Sequence, residues 1–399
     1  MSSSVSFEEI VDVKIDNRGK TPPTVVSGHP LIEVNALVNC GLHPNIKKVS
    51  KFVDEDVWQT WFRQHLQKDD VIFSTVGTIG ETAIVSDNPN YAIAQNILGF
   101  RFDKDLVSPL YMLFLMRSNW FMHQVTGRTI ETVQKSIKWS DMKGIKLNLP
   151  PVETQEKIAK VLCDLDRKIE LNRQMNATLE QIGQTLFKKY FVDNPESEEW
   201  ENVQLGNYVE LVNGATYKSS ELSESDCALL TLKNFKRKGG FKREGYKQFT
   251  GKFKDEQVVQ DGDLVVAHTD LTQQAEVAGV PALVSGAGDF KTVGISMDVV
   301  KIIPKEKDIN SGFLYFLMMS HEFQSYKMGY ITGSTVLHLN KKCIPNFTFK
   351  LPDTKSLQTL GPVFKEIILK MTLNDSEIDT LEKTRDSVLP KLMSGEIKV

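Results

Sequence analysis

The sequence has no apolar run long enough to cross a bilayer. Its longest uninterrupted apolar runs, residues 110–116 and 313–319, hold seven residues each, whereas a membrane-spanning helix needs about 20. The first residues also lack the basic start and the apolar stretch of a secretory signal. We therefore expect no membrane partner and a cytoplasmic location.

Cysteine and histidine are few and scattered. The four cysteines, Cys40, Cys163, Cys227 and Cys343, include no C-x-x-C pair, and the seven histidines form no metal-binding motif. This pattern excludes a zinc ribbon and a disulfide framework, and it is typical of a reducing compartment. The formal net charge of the 399 residues is only −3. The total charge therefore indicates no partner, and the distribution of charge along the chain has to be examined instead.

Motifs of catalysis are missing as well. The sequence has no Walker A lysine motif, no G-x-S-x-G and no H-E-x-x-H. Residues 87–91, Asp-Asn-Pro-Asn-Tyr, resemble the Asn-Pro-Pro-Tyr motif of amino-methyltransferases, but Asn90 replaces the second proline. We therefore predict a binding module that has no catalytic residue, no metal and no cofactor of its own.

What the sequence does contain is a long repeat. At an offset of 202 residues, the Leu-Pro pair at 149–150 recurs at 351–352, the Leu-Asn pair at 171–172 recurs at 373–374, and the Thr-Leu-Glu triplet at 178–180 recurs at 380–382. A period of this length is too large for a solenoid unit, so each copy is expected to be a whole domain with a connecting element.

Within each copy the hydrophobic pattern changes once, from short strand-like runs to one long helical pattern. This predicts an α/β protein with two mixed α/β domains, residues 1–148 and 193–350, where residues 193–200 form an acidic linker. Helical segments at 149–192 and 351–399 follow the two domains. The first helix is expected from about 154 to 189. The second is expected to be slightly shorter, from about 362 to 393, because Gly361-Pro362 and Pro390 should break or kink its ends.

A heptad pattern runs along both helical segments. Residues expected at the a positions, which form the contact seam, are Ile158, Leu165, Asn172, Leu179 and Leu186 in the first helix and Ile367, Asn374, Leu381 and Val388 in the second. The d positions three residues later are less regular. Such a seam requires a partner helix, so the pattern predicts that the two helices form an antiparallel coiled-coil spacer with pseudo-twofold symmetry. Asn172 and Asn374 are then expected to meet and to set the register.

An antiparallel pair of this kind would carry the two globular domains to opposite ends of a stiff spacer. Domains held several tens of Å apart can contact two DNA segments separated by about one helical turn, ~34 Å. Because the two domains differ in sequence, the two segments are expected to differ in sequence too.

The strongest candidate for DNA contact is the basic segment of the second half, residues 233–254. Its nine cations stand against one acid, Glu244, and aromatic residues are interleaved with them. Charge of this density can neutralise phosphates on an ordered segment, although charge runs are often only solvated surface. The candidate residues here are Lys233, Lys236, Arg237, Lys238, Lys242, Arg243, Lys252 and Lys254.

Further candidates have hydroxyl, amide or cationic side chains that can contact base edges. They are Lys20, Thr21, Ser74, Thr75, Thr78, Arg128, Thr132, Gln134 and Lys135 in the first half, and Lys218, His268, Thr269, Gln273, Ser334 and Thr335 in the second. Gly-Thr loops are also commonly plain turns, so each candidate has that alternative. Residues 1–148 hold 16 Lys plus Arg and 16 Asp plus Glu. The isolated chain is therefore expected to bind DNA poorly and to depend on a partner for most phosphate contacts.

Residues 149–159, Leu-Pro-Pro-Val-Glu-Thr-Gln-Glu-Lys-Ile-Ala, resemble the central conserved region of the specificity (S) subunits of Type I restriction-modification systems. Residues 165–173 and 186–193 resemble the same region, and residues 389–399, Leu-Pro-Lys-Leu-Met-Ser-Gly-Glu-Ile-Lys-Val, resemble the end of the second conserved region. The likeness covers the whole chain in the order recognition domain, helix, recognition domain, helix.

This resemblance implies a DNA specificity subunit whose two target-recognition domains each contact one half of a bipartite, asymmetric site. It also implies that two modification (M) subunits dock on the helices, and that restriction (R) subunits join them. S-adenosylmethionine, ATP and Mg would belong to these partner subunits, which carry out adenine methylation and ATP-dependent cleavage. Leu162, Ile169 and Phe187, which lie off the expected seam, then become either partner surface or packing against the domains.

Three alternatives stay open at this point. The chain could serve a system in which methylation and cleavage are fused in one partner polypeptide. It could instead be an enzyme that acts on DNA alone, or a scaffold that binds only protein.

Overall fold

The computed structural model describes residues 3–17, 19–127, 136–272 and 274–399. In the first half, the strands are β1 Ser3–Ser6, β2 Val11–Ile15, β3 His29–Ile32, β4 Phe52–Val53, β5 Val71–Ser74, β6 Thr82–Ile84, β7 Ala92–Ile93, β8 Ile97–Phe102 and β9 Lys146–Leu149. The helices of this half are α1 Glu55–Trp61, α2 Pro109–Arg117, α3 Asn119–Thr126, α4 Trp139–Met142 and α5 Val152–Phe187.

The second half continues the same series. Its strands are β10 Asn202–Gln204, β11 Val209–Asn213, β12 Cys227–Leu230, β13 Lys247–Gln248, β14 Leu264–Ala267, β15 Thr269–Asp270, β16 Pro281–Leu283, β17 Thr292–Ile295, β18 Val299–Pro304, β19 Ile331–Thr332, β20 Leu337–Leu339 and β21 Thr348–Lys350. Its helices are α6 Ser311–Met319, α7 His321–Met328, α8 Cys343–Asn346 and α9 Thr354–Ser394. None of the helices in the described ranges is both long and apolar enough to span a membrane.

The two globular domains have the same sheet topology. The first has an antiparallel sheet in the order β2-β8-β5-β6, and the second has β11-β18-β14-β16. A three-stranded sheet, β4-β3-β7 or β13-β12-β17, combines one antiparallel and one parallel pairing in each domain. The pairs β1-β9 and β10-β21 also correspond. The predicted duplication and the mixed α/β class are therefore confirmed. The second domain also has a sheet β15-β20-β19, and residues 128–135 of the first domain, at the corresponding place in the repeat, lie outside the described residues.

The local sequence explains the equivalent elements. All four residues of β5 and of β14 are buried, as expected for short apolar runs covered on both faces. In each domain two short helices, α2 and α3 or α6 and α7, are separated by one serine. This serine ends the first helix and caps the second. Ser118 Oγ accepts a hydrogen bond from the backbone of Phe121 at 3.2 Å, and Ser320 Oγ accepts one from Phe323 at 3.3 Å.

The chain divides into two compact units, and each long helix contributes to both. One unit holds residues 1–170 and 380–399, and the other holds residues 171–379. In the second unit, Asn172 of α5 contacts Glu377 of α9, Asn176 contacts Asp375, and Phe187 packs on Phe364. Residue numbers rise along α5 as those of α9 fall, so the helices are antiparallel, as the heptad pattern predicts.

Helix α9 is longer than expected. It spans 41 residues without interruption, against 36 in α5, and it begins at Thr354, so the predicted break at Gly361-Pro362 was wrong. Its end at Ser394 agrees with the expected end at about residue 393. Tertiary contacts explain the continuity at Gly361, because its carbonyl accepts a hydrogen bond from Asn310 Nδ2 at 2.9 Å. A side chain at Gly361 would begin 3.2 Å from that nitrogen. Packing therefore outweighs the low helix propensity of this pair.

The contact stripe of each helix also differs in part from the heptad assignment. The residues expected at a positions are buried or half-buried in both helices, but the three apolar d residues of α5, Val161, Met175 and Ile182, are 39–45% exposed. The stripe is completed four residues after each a position instead. In α5 these residues are Leu162, Ile169, Asn176 and Gly183, and in α9 they are Phe364, Met371, Ile378, Arg385 and Leu392.

This shift keeps the seven-residue period and moves the stripe around the helix. Leu162, Ile169 and Phe187 are at most 3% exposed, so they are packed within this chain rather than left as partner surface. At Gly183, a Cβ atom would lie 2.0 Å from the ring of Phe316. The only glycine of α5 is therefore required for close packing of the second domain on the helix.

Polar groups lie at the centre of the helix pair in the second unit. Asn172 Nδ2 donates to Glu377 Oε2 at 3.0 Å, and Asn374 Nδ2 donates to Asn176 Oδ1 at 2.8 Å. Burial raises the pKa of the neighbouring Asp375 carboxyl, which accepts from Asn176 Nδ2. Asn172 and Asn374 are each 1% exposed, but each bonds to a neighbour of the other rather than to the other. This layer penalises any slip in register, because a slip would leave buried amides without partners.

A buried charge cluster joins the first domain to both helices. Asp166 of α5 pairs with Arg385 of α9 at 2.8 Å and with Arg117 at 3.1 Å, and its side chain is 3% exposed. Arg117 also donates to the Thr82 carbonyl at 2.8 Å and to the Gly41 carbonyl. Burial lowers the pKa of the Arg117 guanidinium, and the Asp166 carboxylate opposes that shift. One carboxylate therefore compensates two largely buried cations.

Replacing this carboxylate is predicted to destabilise the protein strongly. Asp166→Asn leaves Arg117 without its ion-pair partner and leaves Arg385 with only the exposed Asp386 carboxylate at 2.9 Å. Loss of one member of a buried ion cluster costs about 3–5 kcal/mol. The measurement is the midpoint of urea denaturation. Asp164→Asn is the matched control, because Asp164 lies two residues away and forms exposed pairs with Lys160 and Arg167. Equal midpoints for the two variants would contradict the prediction.

Candidate nucleic-acid interface

Two loops of the second domain are joined through the sheet β15-β20-β19. Strand β15 pairs with β20, so that Asp270 lies opposite Leu337, and β20 pairs in turn with β19. The loop that follows β15 therefore lies beside the hairpin whose tip carries the exposed Ser334 and Thr335. Gln274 is exposed on the same loop. The structure thus brings together groups that are far apart in the sequence.

Two buried charged side chains, Asp270 and Lys327, hold the ends of the loop that follows β15. The Asp270 carboxylate accepts hydrogen bonds from the backbone of Thr272 at 2.6 Å and of Ala278 at 2.9 Å. Lys327, which is 3% exposed, donates from Nζ to the Ala278 carbonyl at 2.8 Å. Burial lowers the pKa of Lys327 to about 8. A buried carboxylate and a buried lysine therefore fix the backbone of a surface loop.

A basic turn, residues 236–240, lies against this loop. The Lys238 backbone donates to the Glu276 carbonyl at 2.8 Å. The Glu276 carboxylate lies 3.6 Å from Arg237 Nε and 3.7 Å from Lys238 Nζ, and these two cationic side chains are 73% and 79% exposed. The turn therefore presents positive charge to solvent directly beside the loop. Lys233, Lys236, Lys242, Lys252 and Lys254 of the same basic segment are exposed as well.

Arg243 has a different role from the one expected for it. Its side chain is only 19% exposed, and it pairs with Asp379 of α9 at 3.0 Å. Its Nε also donates to Ser285 Oγ at 3.1 Å. Arg243 therefore holds the second domain on the helix, and the structure gives no free guanidinium for DNA at this position.

Four other candidates lie below the surface. Ser74, Thr75, His268 and Thr269 are at most 8% exposed, so they cannot contact bases from these positions. Ser74 Oγ donates to the Thr78 carbonyl at 2.6 Å, and Thr269 Oγ1 donates to Asp298 at 3.0 Å. Burial lowers the pKa of His268 to about 4, which makes it neutral near pH 7. These residues support the loops that carry the exposed side chains.

Part of this loop arrangement recurs in the described residues of the first domain. Its loop at residues 75–80 begins where the Thr75 backbone donates to the Asn96 carbonyl at 2.8 Å, and Val76 bridges to Ser136. Thr21 Oγ1 lies 3.4 Å from Gln95 Oε1. Lys20, Thr21, Thr78 and Gln95 are exposed. Arg128, Thr132, Gln134 and Lys135, together with Gln273 of the second domain, lie outside the described residues.

The two domains present different side chains on equivalent positions. Strands β8 and β18 correspond, so Gln95 and Asn96, just before β8, match Met297 and Asp298, just before β18. The Asp298 carbonyl accepts from the His268 backbone at 2.7 Å, as the Asn96 carbonyl does from Thr75. Lys20 and Lys218 correspond in the same way after β2 and β11, and both are exposed. The equivalent backbone position therefore carries the amide of Gln95 in the first domain and the thioether of Met297 in the second.

Sequence reasoning missed Gln95, Leu271 and Met297. All three are exposed at this surface, and Leu271 and Met297 are 71% and 53% exposed. Gln95 and Met297 are separated by the same offset of 202 that marks the repeat, so aligning the two halves strand by strand would have found them. Leu271 carries no such signal, because the loop after β14 is longer than the loop after β5. The described ranges contain no group of three or more His, Cys, Asp or Glu side chains placed to hold a metal ion.

Comparison with known proteins agrees with this architecture. A family model described as the Type I restriction modification DNA specificity domain matches residues 62–181 and 197–383. The chain is 24% identical over 396 residues to a putative type I restriction enzyme MjaX specificity subunit of Methanocaldococcus jannaschii, covering 93% of this chain and 88% of that one. It is also 24% identical over 406 residues to the type I restriction enzyme HindI specificity subunit of Haemophilus influenzae, covering 84% and 88%.

A solved structure is similar in fold. The S subunit of a Type-I restriction-modification system from M. genitalium superposes with a TM-score of 0.57 at 13% sequence identity, over 98% of this chain and 96% of that one. The family match extends over most of both halves, and the repeated domains and paired helices accord with it. The chain belongs to the family of type I restriction-modification DNA specificity subunits.

Proposed function

We propose that this chain recognises a bipartite, asymmetric site in double-stranded DNA, with one half-site bound by each target-recognition domain. The observation that carries the proposal is that the loops just before β8 and β18 are held by equivalent backbone hydrogen bonds in the two domains and present different exposed side chains. A repeated backbone frame approaches the duplex in the same way each time, while the side chains on it determine which bases fit. Phosphate contacts from Arg237, Lys238 and the neighbouring lysines would position the second domain.

The paired helices would set the number of base pairs between the half-sites. Their register is fixed by the buried amides around Asn172 and Asn374 and by the Asp166 cluster. A change in register therefore costs free energy, and the spacing between the half-sites is held constant.

The same helices are proposed to dock two M subunits. In the second unit, Leu171, Met175 and Ile182 of α5 are 40–54% exposed, and Leu369 and Leu373 of α9 are 47% and 55% exposed. Apolar side chains grouped on a helix surface are typical of protein contacts. R subunits would join this assembly. Adenine methylation, cleavage and their cofactors, S-adenosylmethionine, ATP and Mg, would belong to the partners, and this chain would contribute specificity in the cytoplasm.

Exchanging one domain is predicted to change one half-site only. Cells carrying this chain and its M subunit are expected to methylate adenines in a two-part sequence, which genome-wide mapping of methylated adenines reveals. When residues 193–350 are replaced by the second recognition domain of a relative, one half of that sequence should change and the other half should stay.

An unchanged methylated sequence after this exchange would point to a scaffold that binds only protein. Methylation by the purified chain and S-adenosylmethionine without a partner would show an enzyme acting alone. Both outcomes contradict the proposal.

Removing a phosphate-binding cation is predicted to weaken binding to all sequences equally. Arg237→Ala and Lys238→Ala should each lower the affinity of the assembled complex for DNA, and should reduce the slope of log K against log salt by about 0.9 per lost contact. Lys305→Ala is the matched control, because Lys305 follows the far end of β18, about 26 Å along the extended chain from Met297. A slope that changes as much in the control as in Arg237→Ala would refute the assignment.

A further inference from the structure

The interface of the second domain contains an apolar side chain that phosphate binding does not explain. Leu271 is 71% exposed directly after β15, and Met297 is 53% exposed on the adjoining loop. The two loops are connected, since Asp298, next to Met297, accepts a hydrogen bond from Thr269, two residues before Leu271. Apolar groups gain nothing from the phosphate backbone, so any contribution of Leu271 and Met297 to DNA binding has to come from an apolar group of the duplex.

The loop is built to hold Leu271 out in solvent. Asp270, the preceding residue, is 1% exposed, and its carboxylate accepts hydrogen bonds from the backbone on both sides of the loop. Lys327 fixes the far side through the Ala278 carbonyl. These bonds fix the backbone at Asp270, directly before Leu271, and at Ala278. Backbone that is ordered before binding favours a specific contact.

The charge around Leu271 indicates which macromolecule covers it. Arg237 and Lys238 lie beside the loop and pair with its Glu276. Lys218 is exposed in the loop after β11. Their positive charge is complementary to a nucleic-acid duplex. In the grooves of B-DNA, the apolar group on a base edge is the C5 methyl of thymine, in the major groove.

We propose that Leu271, assisted by Met297, contacts the C5 methyl group of a thymine in the half-site bound by the second domain. This inference rests on the proposed function, and it names the base chemistry that the second domain recognises. The first domain has Gln95 at the position of Met297, and an amide can instead form two hydrogen bonds with adenine. The repeated frame thereby distinguishes its two half-sites by an apolar contact in one and a polar contact in the other.

The test removes a single methyl group from the DNA. Once the recognition sequence has been mapped, each thymine of the second half-site is replaced in turn by deoxyuridine, which lacks only the C5 methyl. Affinity is measured with the complete complex of this chain and its M subunits. One replacement should lower the affinity about fourfold, which corresponds to burial of one methyl-sized group. Leu271→Ala should bind the thymine and deoxyuridine duplexes equally well.

Two controls separate a base contact from a structural effect. Val26→Ala changes an apolar side chain of the first domain that is 94% exposed, and it should keep the full fourfold difference. A Leu271→Ala protein that is merely misfolded would lose affinity for both duplexes and keep their ratio.

Three results would overturn the inference. They are a second half-site without thymine, no deoxyuridine position with reduced affinity, and a Leu271→Ala complex that retains the difference. A wedge inserted between base steps would give the second result, because unstacking does not depend on the methyl group. Failure of the complex to bind any specific sequence would instead refute the proposed function, and this outcome is distinguishable from the three above.

Discussion

Pairing of α5 with α9 is the constraint on which the rest of the structure depends. Each helix has an apolar stripe that would be exposed to water if the helix stood alone. Each stripe is covered partly by the other helix and partly by a globular domain. Because the domains pack on the helices through Phe187, Phe364 and Leu392, they gain stability from the same pairing. Polar groups within the pair add the direction and register that apolar contacts alone would not specify.

The repeat explains how one chain can contain two recognition surfaces. The sheets are retained although the buried strands differ in sequence, since β5 is Val-Ile-Phe-Ser and β14 is Leu-Val-Val-Ala, because what the core requires is a short buried run that pairs with its neighbours. The exposed loops after these strands are free to differ in length as well. The loop after β14 is longer and carries Leu271, whereas its counterpart after β5 is a short glycine turn.

Much of this architecture could be predicted from the sequence, since an internal repeat and two long periodic segments are properties of the sequence itself. The continuity of α9 could not be predicted, because it depends on Asn310 binding the Gly361 carbonyl from another element. The heptad pattern placed the second row of the contact stripe three residues after each a position, whereas the structure places it four residues after, for a similar reason. Val161, Met175 and Ile182 are apolar and suitably spaced, and only the position of the globular domains shows which face is covered within the chain.

Prediction of the site was least successful where burial decides the role of a residue. Ser74, Thr75, His268 and Thr269 have side chains suited to base contacts, yet they lie beneath the loops that they support. Arg243 lies in the most basic segment of the chain, but it is bound to a helix. Residue type indicates which contacts a side chain can make, and only the fold determines which of them is available.

Arg243 and Arg117 bear on any exchange of a domain in this chain. Each arginine belongs to a globular domain, and the carboxylates that pair with them, Asp379 and Asp166, belong to the helices. A foreign domain that lacks a cation at the corresponding place would lose an ion pair with the helix, however well its loops fitted their DNA. A domain grafted onto these helices therefore needs a compatible anchor as well as suitable loops.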